Sequence, residues 1–181
     1  MVIIRAMSRS VWRECGEAII ALGLVLLSLQ LMGETLRPAG QSELLHSLFA
    51  IFKDDVLFNL LLATIFAWIA HSSAATILFA MSLSAHDVVS VQAALAMVLG
   101  ANLGTTFNPL SAASCQRDKM RVALGNLVTR VTGCLIVTPF IPLVSTFLAS
   151  FSSPERIGAD FHVLFNVGVA LLFFPILNSL E

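Results

Sequence analysis

Not one Lys, Arg, Asp or Glu occurs between Val56 and His86, and the same holds for Val88–Gln116, Val131–Pro154 and Phe161–Leu180. Charged residues make up only 12% of the 181, against 57% hydrophobic, and the mean hydropathy is +0.91. Soluble domains carry about a quarter charged residues, so this composition excludes an ordinary water-covered fold. Each charge-free run is long enough for a hydrocarbon core, which takes about 20 helical residues to cross. A net charge of −1 provides no basic face for nucleic acid. Cysteine is scarce as well. Cys15, Cys115 and Cys134 are odd in number and far apart, without a C-x-x-C or Cys/His cluster, which points to packing rather than to metal or disulfides. The apolar run Ala18–Gly33 follows arginines 5, 9 and 13 but lacks a small-residue cleavage site. It reads as a retained, rather short membrane helix behind a cytoplasmic segment, residues 1–15, and not as a signal peptide.

Alternation of apolar and polar residues, the mark of a barrel strand, is missing too; runs such as "LLATIFAWIA" require helices. The fold expected is an all-α polytopic membrane protein, one transmembrane domain over residues 1–181. The mixed connection Glu34–Asp55 contains "LLHSLFAIF", suited to a short interfacial helix. Val56–Ala70 would be only about 22 Å long as a helix, too short to cross comfortably. It ends at His71-Ser72-Ser73 before a second apolar run to Ala85. That pattern predicts a re-entrant hairpin with a polar tip. In "ALAMVLGANLGTTFNPLSAAS", Gly100, Gly104 and Pro109 surround Asn102, Thr105, Thr106 and Asn108, the composition of a transmembrane helix that unwinds partway.

Basic residues gather at the N-terminus and at Arg117, Lys119, Arg121 and Arg130, whereas Glu34–Asp55 and "SSPERIGAD" are acidic or balanced. Placing both basic clusters in the cytoplasm requires the hairpin to return to the face it entered from. Two further segments, "ALGNLVTRVTGCLIVTPF" and "HVLFNVGVALLFFPIL", share an early asparagine, small central residues and a late proline. They read as two packed helices, with Asn126 and Asn166 hydrogen-bonding between helices.

"HSSAAT" and "GANLGTT" are both rich in hydroxyls and small residues and free of charge. Broken helices of this kind bind anions through N-terminal amides and hydroxyls, and cations through unwound carbonyls. An oxyanion is the ligand this chemistry suits. An intramembrane hydrolase using Ser72 with His71 as base is disfavoured, since adjacent helical residues point about 100° apart. His162 would be needed as the base, and nothing in the sequence brings it near. An enzyme is therefore not expected.

"GLVLLSLQLMGETLRP", "SSAAT", "GANLGTT" and "ADFHVLFNVGVALLFFPI" together resemble the second half of the type II sodium-dependent phosphate cotransporters, from about Gly16 to Leu180. That resemblance implies one of two inverted repeats in a multi-pass inner-membrane protein. It implies phosphate at Ser72, Ser73, Ala74 and Gly104, and sodium, the co-substrate, at Thr76, Asn102, Thr105 and Thr106. No other cofactor is implied; the partners are the lipid bilayer and a second repeat or second copy of the chain. His71 stands where the family has glutamine and Ala74 where it has a third serine. His71 is accordingly a candidate pH-sensitive group. The alternative expectation is a non-transporting membrane partner, or a partial transporter that has lost phosphate. Because the two broken segments contain no Arg or Lys, the cations that offset a buried phosphate are expected to arrive with it, as sodium.

Overall fold

A computed structural model describes residues 2–113, 117–153 and 156–177. Every element among them is helical: α1 Val2–Gly40, α2 Glu43–Phe49, α3 Val56–Ala70, α4 Ser73–Ala85, α5 Val91–Gly104, α6 Phe107–Ala112, α7 Arg117–Val137, α8 Ile141–Ala149 and α9 Ile157–Leu177, with a 3-10 turn at Thr138–Phe140. The side chains of Arg5 and Arg9, and Cys115, lie outside the described residues. Among the described residues three stretches are long and apolar enough to cross a membrane: Arg13–Thr35 in α1, Arg117–Ala149 through α7 and α8, and Ile157–Phe174 in α9. The first is longer than the expected Ala18–Gly33, because helical propensity carries α1 past the apolar run at both ends. The interfacial segment forms α2, which buries Phe49.

α5 is the centre of the bundle. All its residues from Ala93 to Asn102 are buried, enclosed by α3, α4, α7, α8 and α9, while α1 packs on α4. α3 and α5 approach backbone to backbone. A methyl group on Gly100 would collide with the Leu60 carbonyl, and one on Gly104 with the Thr64 carbonyl; Ala63 and Ala67 supply small side chains opposite, 3.0 and 2.8 Å from those methyl positions. This is the small-residue packing that membrane helices use when no hydrophobic force draws them together. α5 stops at Thr105 because Pro109 has no N–H to donate to the Thr105 carbonyl. The Thr105 and Thr106 hydroxyls also turn back onto carbonyls of the preceding turn. Pro139 and Pro142 likewise break the run from α7 to α8.

α3 and α4 form a hairpin whose two ends are fastened together. Ser90 N donates to the Lys53 carbonyl at 3.1 Å, and Lys53 Nζ meets Asp87 Oδ1 at 3.2 Å. Asn59, fully buried, donates from Nδ2 to the Phe52 and Asp55 carbonyls and ties the incoming loop to α3. One cavity is lined by Gly33, His86, Val91, Ala149, Ser152 and Ile157. The ends of α1, α4 and α8 and the starts of α5 and α9 therefore share one end of the molecule. The start of α7, with Arg117, Lys119 and Arg121, stands at the other, beside Pro109 and Ala113.

Arg130 departs from that scheme. It lies 13 residues into α7, about 20 Å along the helix from Arg117, and is half-buried, its guanidinium reaching Asn102 and Asn166. Asn126 is exposed and does not meet Asn166. The interhelical partner of Asn166 is Asn102. Cys134 is buried with Sγ 3.7 Å from the Leu99 carbonyl, whereas Cys15 is exposed.

Candidate functional site

The hairpin turn is built by one backbone reversal. His71 closes α3 in the left-handed region (φ 54°, ψ 24°), and Ser72 opens α4 in an extended conformation, its Oγ accepting from Ala75 N at 3.2 Å. This cap satisfies an amide that the helix start would otherwise orphan. Thr76, with no exposed surface, donates its hydroxyl to the Ser72 carbonyl at 3.0 Å. Ser73 is half-buried and Ala74 exposed. His71 is exposed; its Nδ1 lies 3.1 Å from the Ile69 carbonyl, which it can bond only as an N–H donor. Trp68 packs on Phe107, ring centroids 6.0 Å apart, so the turn sits beside the break between α5 and α6.

The second motif is organised around Asn102, which is 4% exposed. Its Nδ2 donates to the Val98 carbonyl at 2.9 Å and to His162 Nδ1 at 3.1 Å. Its Oδ1 accepts from Arg130 Nη1 at 3.3 Å and from Asn166 Nδ2 at 3.2 Å. Asn166 Nδ2 also donates to the His162 carbonyl, and Asn166 Oδ1 accepts from Arg130 Nη1. Each of these contacts pairs a donor with an acceptor, so a single orientation of both amides satisfies all of them. The Arg130 guanidinium lies 5.9 Å from the centre of the Phe165 ring. Thr105 Oγ1 shares its proton between the Ala101 and Asn102 carbonyls, and Thr106, 2% exposed, donates to Leu103.

Ser72 and Thr76 are thus joined at the turn, and Asn102 and Thr105 at the break. Among the described residues no hydrogen bond links one motif to the other. Gly104 and Asn102, two residues apart, point about 200° from each other around α5. The glycine faces α3 of the hairpin, and the asparagine faces α7 and α9. His162 is held by Asn102, not by Ser72, so no serine–histidine pair forms. Arg130, His162 and Asn166 are site residues that the motifs alone do not reveal. Their sequence signals are an arginine deep in an apolar helix and a His/Asn pair four residues apart on one face.

The profile of the Na+/Pi-cotransporter family matches residues 26–177. YjbB of Escherichia coli (strain K12), by name an inorganic phosphate export protein, is 32% identical over 169 residues, covering 92% of this chain and 31% of its own length. The protein of the same name in Salmonella typhimurium is 32% identical over 164 residues, 90% of this chain and 30% of its own. YqeW of Bacillus subtilis, an uncharacterized protein by name, is 27% identical over 168 residues, 92% of this chain and 55% of its own. The chain therefore spans about a third of the YjbB proteins that it resembles. No solved structure matches it.

Proposed function

The chain belongs to the Na+/Pi-cotransporter family, and from that premise we propose that it moves inorganic phosphate across a membrane as one repeat of a two-repeat transporter, with sodium as co-substrate. The observation that carries this reading is the α3–α4 hairpin: two helices of 15 and 13 residues, tied at one end and turning on Ser72 beside the break of α5. Helices of about 20 Å that return to their own face are re-entrant elements, tolerated in lipid where they line a protein cavity. Ser72, Ser73 and the amide near Ala74 would meet the phosphate, whereas Gly104, packed against Thr64 and Ala67 of α3, leaves no room for it. The hydroxyl oxygens of Thr76, Thr105 and Thr106 would serve sodium; the Asn102 side chain turns to α7 and α9, where Arg130 and Asn166 already donate to its oxygen. A lone repeat leaves such a turn facing lipid, where an unpaired polar group costs several kcal/mol, so a second, inverted repeat is required, most simply a second copy. The YjbB relatives are named for export; net direction follows whichever of the phosphate, sodium and voltage gradients dominates.

The test is cysteine labelling in membranes, on a chain freed of its own cysteines. Ser42→Cys and Lys119→Cys should label from opposite sides, and phosphate should slow labelling of Ser73→Cys but not of Ser42→Cys. Labelling of Ser42→Cys and Lys119→Cys from one side, or no protection at position 73, would contradict the reading.

A further inference from the structure

Among the described residues Arg130 is a cation without an anion. Its Nη1 hydrogens go to Asn102 Oδ1 and Asn166 Oδ1, both neutral amides. Among the described residues Nε–H and the Nη2 hydrogens make no hydrogen bond, and no carboxylate pairs with the guanidinium. The acid nearest in sequence is Asp118, at the start of α7, about 18 Å along the helix. A long basic side chain at membrane depth usually snorkels toward the helix end. This one turns inward, to an asparagine 4% exposed at the centre of the bundle. Holding a charge there with neutral partners alone is costly, and such residues mark the paths of substrates. The unused Nε and Nη2 hydrogens are donors of the kind that bind two oxygens of a tetrahedral oxyanion at once.

We propose that Arg130 binds the transported oxyanion at a second position on its path, on the α7–α9 side of α5 and apart from the Ser72 turn, and that it supplies from the chain itself a positive charge that a site without it takes from sodium. Asn102 and Asn166 position it, occupying Nη1 and leaving the other edge for the anion. The proposal rests on the phosphate reading above and removes one premise of the sodium argument, that no fixed cation reaches this layer of the molecule.

The experiment is calorimetric titration of inorganic phosphate into the full chain in lipid nanodiscs, in sodium chloride and in choline chloride at equal ionic strength. The wild-type chain is expected to bind in both salts with affinities of the same order. Arg130→Gln should bind about tenfold or more weakly in choline, the loss expected of a charge-assisted hydrogen bond, and recover in sodium. Should the glutamine chain not fold, Arg130→Lys carries the test: lacking the planar fork, it should bind phosphate in choline about tenfold more weakly than wild type, and an unchanged affinity would overturn the proposal. Equal weakening of Arg130→Gln in both salts would mark a structural role and also overturn it. Wild-type binding in sodium alone would overturn it while leaving the phosphate reading intact. No binding in either salt would refute that reading, and this proposal with it.

Discussion

Replacing Gly104 by alanine is expected to destabilise the chain by about 1–3 kcal/mol, the cost of forcing a methylene into a close-packed contact. The new methyl group would run into the Thr64 carbonyl and lie 2.8 Å from the Ala67 side chain. Neither neighbour can yield by a rotamer change, since one is backbone and the other a lone Cβ. α3 must move away from α5, and the hairpin turn moves with it. Gly100→Ala meets the Leu60 carbonyl and Ala63 in the same way, so the two substitutions together should separate the helices altogether. Gly125, in α7, has nothing within 4 Å of the corresponding position. Alanine there should be neutral or stabilise by up to about 1 kcal/mol, the helix-propensity difference. Thermal unfolding in detergent checks this, and equal melting temperatures for the Gly104 and Gly125 variants would contradict the packing account.

Asn102→Leu should have the second large effect. The substitution keeps volume but deletes four hydrogen bonds at once. It leaves Arg130 on Asn166 alone and His162 Nδ1 without its donor. Each buried polar group left unsatisfied costs about 1–3 kcal/mol, and the guanidinium loses one of the two amides that aim it. Phosphate flux should fall to about a tenth or less of wild type even where the folded chain reaches the membrane, because a positioning loss of this size is worth at least a factor of ten. Asn126→Leu, an exposed asparagine on the neighbouring helix, should leave flux unchanged. Equal flux in the two variants would remove Asn102 from the site.

The elements were legible because lipid imposes so few choices. Charge-free runs gave the long helices, the short run to Ala70 followed by His71-Ser72-Ser73 gave a hairpin, and Pro109 marked the place where α5 stops. What a linear reading could not see was which face of each helix meets which neighbour. Gly100 and Gly104 read as a place for a ligand to approach, and in the structure it is α3 that approaches them. Arg130, nine residues from Arg121, was grouped with it by sequence distance, although the rise of a helix takes it well into the bundle. His162 and Asn166 lie 60 or more residues from Asn102, and no spacing rule joins them. A polar cluster of this kind becomes visible only when α5, α7 and α9 are packed together.

The account's central claim is that this chain moves phosphate, and exchange of radiolabelled phosphate across liposomes reconstituted with it tests that claim most directly. The liposomes are loaded at a density where crosslinking shows paired chains. The account predicts saturable exchange well above protein-free liposomes, cut to about a tenth or less by Asn102→Leu and competed by arsenate, a tetrahedral oxyanion of similar shape, but not by chloride. Exchange no faster than in protein-free liposomes, with the chains paired and folded, would contradict it.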